Sequence, residues 1–151
     1  MIPISSIHPD EELRDFLQGQ DIHVVDADGT ERNVTVYGDW ERPTNEVPSD
    51  FLVVMLNGDI GGYGMSSPYA EGYIMVSLYS KMNDDGSVKK QRVDKILDQF
   101  DHLVEKLVTE NYFYKYASPR FITPTTPNVT SGYSVTTLNI EWHTNNNFNK
   151  Q

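Results

Sequence analysis

The sequence predicts an α+β domain. Two stretches carry apolar residues three and four apart, Pro9 to Gln18 and Val88 to about Thr109, the period of helices with one buried face. Between and after them lie short apolar or alternating runs, Phe51 to Leu56, Tyr73 to Tyr79 and Tyr133 to His143, the pattern of strands. The 151 residues suit one domain, which buries roughly 70% of the surface its unfolded chain exposes. That domain is expected over 1–144, with an extra hairpin and acidic loop at 21–50, and 145–151 are expected to be a polar flexible tail.

In the first helix, His8-Pro9 puts proline where no N–H is lost, and Asp10, Glu11 and Glu12 favour the positive helix end. Leu13, Phe16 and Leu17 share a face, and Gly19 is the stop. Ile22, Val24 and Val25 then precede Asp26-Ala27-Asp28-Gly29, after which Val34, Val36 and Tyr37 resume, so an Asp-Gly β-hairpin is expected. Asp26, Asp28 and Glu31 lack the glycine and the final glutamate of a calcium loop. In the polar, proline-broken loop that follows, Trp40 has two readings, docked on its own domain or anchoring a partner.

Phe51 to Leu56 is a buried strand ended by Asn57-Gly58. Ile60, Gly61, Gly62, Tyr63, Gly64 and Met65 read as a mobile loop, either a plain connection or one that orders at a subunit contact. No Gly-Lys-Ser/Thr follows to make it a phosphate loop. Tyr73 to Tyr79 places Ile74, Val76 and Leu78 on one face and Tyr73, Met75, Ser77 and Tyr79 on the other, which suits a central strand with a neighbouring layer on each side. After the turn Asn83-Asp84-Asp85-Gly86, Ser87 is the expected N-cap of a long helix from Val88 to Thr109. Its stripe is Val93, Ile96, Leu97, Phe100, Leu103, Val104, Leu107 and Val108, and its other face mixes charges of both signs. Tyr112, Phe113, Tyr114 and Tyr116 exceed what one face buries, so part of the cluster is expected to meet a partner or pin a loop. A Thr/Pro-rich loop, Thr123 to Asn128, leads to the last strand, where Leu138, Ile140 and Trp142 alternate with Thr137, Asn139 and Glu141.

With 38% hydrophobic and 11% aromatic residues the chain is too apolar for disorder. The absence of cysteine excludes disulfide scaffolds, zinc ribbons and thiol nucleophiles together. No apolar run approaches the roughly 20 residues of a bilayer helix and no leader pattern opens the sequence, so no membrane contact is expected and synthesis in the cytoplasm is. The net charge of −10 argues against binding a nucleic-acid backbone and suits either solubility or a channel wall past which DNA slides. His8, His23, His102 and His143 fall in four separate elements, and no serine stands in a nucleophile elbow. The expectation is a protein that is not an enzyme, uses no cofactor or metal, and works through its surfaces. Candidate contact residues are Trp40, the segment Ile60 to Met65, Tyr73, Met75, Tyr79, Tyr112, Tyr114 and Tyr116.

The order helix, strands, long helix, aromatic segment, Pro/Thr loop and terminal strand, with Asn83-Asp84-Asp85-Gly86 before the long helix and the run Ser131-Gly132-Tyr133 through Trp142-His143-Thr144 at the end, resembles the tail terminator (tail completion) proteins of long-tailed bacteriophages. The likeness covers Phe51 to Thr144 and, weakly, the first helix. It implies an antiparallel or mixed sheet with the helices packed on one face. It also implies a ring, commonly a hexamer, that caps the tail tube, stops its polymerisation and offers a surface to head completion or connector proteins. Its partners would be copies of itself, the tube protein and the head completion protein, with DNA only as passing cargo, at the head-proximal end of the tail in the virion. Two other readings stay open: a head-side neck or connector protein, and an acidic monomeric inhibitor or immunity-type protein whose charge complements a basic target.

Overall fold

A computed structural model describes residues 6–38, 41, 48–64, 67–128 and 130–145. Trp40 and Met65 lie outside these, as do 146–151 of the expected tail. The elements run α1 (Pro9–Gln18), β1 (His23–Val25), β2 (Glu31–Asn33), β3 (Thr35–Gly38), β4 (Asp50–Gly64), β5 (Ser67–Lys81), α2 (Lys90–Val104), β6 (Leu107–Val108), β7 (Tyr112–Asn128) and β8 (Tyr133–Thr144). Six strands form one curled sheet in the order β3-β4-β5-β8-β7-β6, and β1 and β2 form a separate ribbon. The fold is therefore α+β. The sheet is mixed, because β3 lies parallel to β4 and every other pair is antiparallel.

Alternation places the core. Ile74, Val76 and Leu78 of β5 and Leu138, Ile140 and Trp142 of β8 are buried with Leu52 and Val54 of β4, as the period of two requires. They share one cluster with Leu13 and Leu17 of α1 and Val93, Ile96, Phe100 and Val104 of α2. Trp142 pairs with Gly72 across the β5–β8 ladder, and only hydrogen fits there, since a Cβ on Gly72 would stand 2.9 Å from Trp142 Cζ2.

Four expected elements change. The long helix is 15 residues, not 22: it starts at Lys90 without a side-chain cap and ends at Val104. Ser87 instead donates its backbone N–H and hydroxyl to the Asp85 carboxylate inside the turn. Lys106 takes φ 58, and Leu107 and Val108 leave the helix to pair with Tyr114 and Phe113. The apolar spacing continues past Val104, but two ladder positions on β7 outcompete another helical turn. The predicted hairpin also divides: β1 pairs with Glu31–Asn33 across a turn held by Gly29 at φ 88, and then Thr35–Gly38 leave to join β4.

The expected mobile loop from Ile60 is likewise strand. Gly61 pairs with Glu71, Tyr63 with Pro68 and Gly64 with Ser67, with register shifts on either side of Gly61. The Thr/Pro segment Thr123–Asn128 is strand too, paired with β8 through three register shifts. Its prolines are tolerated where, among the described residues, β7 beyond Tyr114 is an edge strand with a partner on one side only.

A polar knot pins the ribbon and α2 to the start of β4. Asp50, whose side chain is 2% exposed, accepts from Arg92 Nη2 at 2.6 Å and from Ser80 Oγ at 2.6 Å. Arg92 Nη1 reaches Asp26 at 2.6 Å, and Arg32 binds the other oxygen of Asp26. These cations hold the Asp26 carboxyl below its ordinary range, Arg32 most strongly. Gln99 completes the attachment by exchanging bonds with the backbone of His23.

Candidate functional site

The face of the sheet opposite the core cluster divides along its length. Towards Lys81 it closes on itself: Phe51 stacks on Tyr79 with centroids 4.9 Å apart, and Tyr37 and Tyr133 stand edge-on to Phe51 at 5.7 Å. Phe51 is 8% exposed in consequence, and Tyr79 is half-buried against its own protomer. Ser77 and Thr137 share a buried hydroxyl hydrogen bond on this face.

Towards Ala70 the same face is open. Tyr73 is 45% exposed, and Tyr69, Phe113 and Val108 are exposed near it. An open concavity of about 820 Å³ lies here, lined chiefly by Tyr69, Glu71, Leu107, Val108, Phe113 and His143. Phe113 stacks on the His143 ring at 4.7 Å. His143 Nε2 lies 2.8 Å from Glu141 and Nδ1 3.3 Å from Glu71, so the imidazole links β5 and β8 through two carboxylates. Among the described residues no group of three or more His, Asp or Glu is placed to hold a metal. What this arrangement offers is area: aromatic and aliphatic side chains with a polar rim, the composition of a contact surface.

Above the concavity the β4–β5 hairpin projects as an arm, because β8 ends opposite Glu71 at His143 while β5 begins at Ser67. Among the described residues β3 pairs with β4 only as far as Val54, so Met55 to Gly64 present an unpartnered edge. A second such edge runs along β7 from Lys115 to Asn128 on the other flank. Each carries backbone donors and acceptors available to another strand.

The sequence-predicted contact residues distribute unevenly over this surface. Tyr73 is exposed, Met75 is half-buried beside it, and Gly61 is exposed on β4, whose backbone continues as strand through Gly62, Tyr63 and Gly64. Ile60 packs against the core cluster. Tyr112 and Tyr114 are corrected: both are 1% exposed and belong to the core. The His8 N–H donates to the Tyr112 hydroxyl at 2.8 Å, and the Tyr114 hydroxyl donates to the Pro9 carbonyl at 2.8 Å. Burial pushes the Tyr112 phenol up to about 12 and the Tyr114 phenol higher still. Tyr116 is half-buried beneath the Arg120 guanidinium, which stacks 4.1 Å from its ring while bonding Asp101 of α2. The cluster of four aromatics thus resolves by strand alternation: Tyr112 and Tyr114 face the core and Phe113 faces out. Phe113 is named from sequence only within its cluster, and Tyr69, Val108 and His143 are not among the candidates; the period-2 phase of 112–116 is the signal that singles out Phe113. No protein-family model matches the chain, and no curated protein matches it significantly.

Proposed function

We propose that this chain is a structural protein of a long-tailed bacteriophage, a tail terminator whose copies form a ring, commonly of six, on the end of the tail tube. The observation that carries the reading is one sheet with two long edges on opposite flanks that no other described residue pairs, beside an open aromatic surface at the base of the β4–β5 hairpin. Edges on opposite flanks suit heterologous contact, in which each subunit offers one surface to the neighbour ahead and a different one to the neighbour behind, and such contacts close into rings. Exposed strand edges and an exposed aromatic cluster are liabilities for a lone protein and assets for one that assembles. The resemblance of the sequence from Phe51 to Thr144 to the tail terminator group points the same way. The ring stops tube growth by covering the end on which the next tube ring would add, and its far side serves the head completion protein.

The test changes the open surface without touching the core. Tyr73→Glu with Phe113→Glu is expected to keep the monomer's melting temperature and to abolish both self-association, measured by light scattering, and capping of purified tail tubes, seen in micrographs. Phage carrying the variant should make overlong or headless tails. A wild-type protein that stays monomeric even with tubes present, and never binds them, refutes the proposal.

A further inference from the structure

Basic side chains gather in one groove of the protomer. Beside the first turn of α2, between that turn, the β1–β2 ribbon and Pro48-Ser49, lies a groove of about 1080 Å³. Five of the chain's 12 Lys and Arg residues line it, Arg32, Lys89, Lys90, Arg92 and Lys95, against a single carboxylate, Asp26. This concentration stands on a protein of net charge −10. Arg32 and Arg92 are occupied by Asp26 and Asp50, whereas the salt bridges among the described residues leave Lys89, Lys90 and Lys95 untouched. The first turn of α2 holds no acidic residue and no side-chain cap, so the positive end of the helix adds to the lysines and nothing on that turn opposes it.

The opposite end of the sheet carries the opposite sign. There the first turn of α1 presents Asp10, Glu11 and Glu12, and the Glu12 carboxylate accepts from the backbone and side chain of Asn111, which brings Glu110 alongside. Glu11 and Glu110 are exposed, and Glu105 stands exposed just past the end of α2. Lys106 offsets one of these charges. The strand register fixes the separation of the two poles. Lys81 of β5 bonds Ser49 at the groove, while Ala70 of β5 bonds Thr144, the partner of Tyr112, at the acidic end. Eleven residue steps of strand span roughly 35 Å. That is several times the Debye length of about 8 Å at physiological salt, so neither pole screens the other within one protomer.

From this we infer that the groove is a docking site for a second copy of this chain, whose acidic pole around Glu11 and Glu110 enters it. The contact rests on the self-assembly proposed above and supplies its direction. A positive groove at one end and a negative projection at the other let copies join only head to tail, while like poles repel. An acid entering the groove meets three lysines that no described residue pairs, together with the positive end of α2.

A charge-swap experiment tests the pairing. The variants are Lys89→Glu/Lys90→Glu/Lys95→Glu and Glu11→Lys/Glu110→Lys, with melting temperature as the check on folding and sedimentation velocity between about 50 and 500 mM salt as the readout. Wild-type association should weaken steeply with salt. Each variant alone should associate roughly tenfold or more weakly than wild type. An equimolar mixture of the two should recover, because every junction in it again joins unlike charges. If the lysine variant does not fold, the salt series on the wild type and on Lys→Gln replacements at the same three positions carries the test.

Salt-independent wild-type association, unchanged association in either variant, or no recovery in the mixture overturns the inference, and rings or capped tubes persisting in those samples leave the terminator reading standing. A short DNA duplex whose binding is lost in the lysine variant, with self-association unaffected, overturns it in favour of a phosphate site. A wild type that neither self-associates nor binds tubes at low salt overturns both.

Discussion

Replacing Gly72 with alanine probes the tightest point between strand ladder and core. The added Cβ would stand 2.9 Å from Trp142 Cζ2 and 3.0 Å from Cε2 and Nε1. Trp142 is fully buried, and Tyr112 stands edge-on to its ring at 5.7 Å, so the indole has nowhere to withdraw. Overpacking of this kind costs about 1–3 kcal/mol. Against it stands a gain of about 0.4–1 kcal/mol, because alanine restricts the unfolded chain more than glycine does. The backbone itself is no obstacle, since no left-handed φ is required at this position. The net expectation is a loss of about 1.3 kcal/mol at the middle of these two ranges and up to about 2.6, or a fall in melting temperature of about 3–5 °C at the middle for a domain of this size.

Gly61 is the matched control. It also lies in the β4–β5 hairpin, but a Cβ there meets nothing nearer than Glu71 Cγ at 3.8 Å, so Gly61→Ala should match or slightly exceed wild type. Urea unfolding followed by tryptophan fluorescence in a Trp40→Phe background reads the environment of Trp142 directly. Wild-type or higher stability for Gly72→Ala would show that the ladder yields where the structure has it rigid, and the reasoning would fail.

Two further outcomes follow from the buried polar groups. Arg92→Met leaves Asp50 buried without its cation and should cost about 3–5 kcal/mol, while Asp50→Asn combined with Arg92→Met should cost clearly less than the sum of the single changes; additivity in that denaturation cycle would contradict the knot. The Tyr112 phenol is held up to about 12 and that of Tyr114 higher, so above pH 10 the unfolded chain sheds protons that the folded one keeps, and stability should fall as pH rises towards 12, less so in Tyr112→Phe; an unchanged alkaline limb in that variant counts against the buried hydroxyl.

The sequence by itself determined the pieces whose signal is carried by near neighbours. Alternation in Tyr73–Tyr79 and Tyr133–His143 names the buried side chains, because a strand sends successive residues to opposite faces wherever it lies. Three-and-four spacing in α1 and in the middle of α2 names Leu13, Leu17, Val93, Ile96 and Phe100 for the same reason. The Asp28-Gly29 turn is equally local, since only glycine adopts its φ of 88 without strain.

Tertiary structure decided everything that depends on which distant segments compete for one place. Leu107 and Val108 continue the helical spacing, yet they pair with β7, and the choice turns on a strand that begins at Tyr112. Gly61, Gly62 and Gly64 and the prolines of β7 read locally as loop. They become strand because a partner strand supplies ladder bonds, with register shifts in the pairing where the glycines and prolines fall. Tyr112 and Tyr114 became core once α1, about a hundred residues earlier, offered their hydroxyls partners at His8 and Pro9. The two charge poles are invisible in a net charge of −10, because composition sums over the chain, whereas the sheet register sends Lys89 and Glu11 to opposite ends of one molecule.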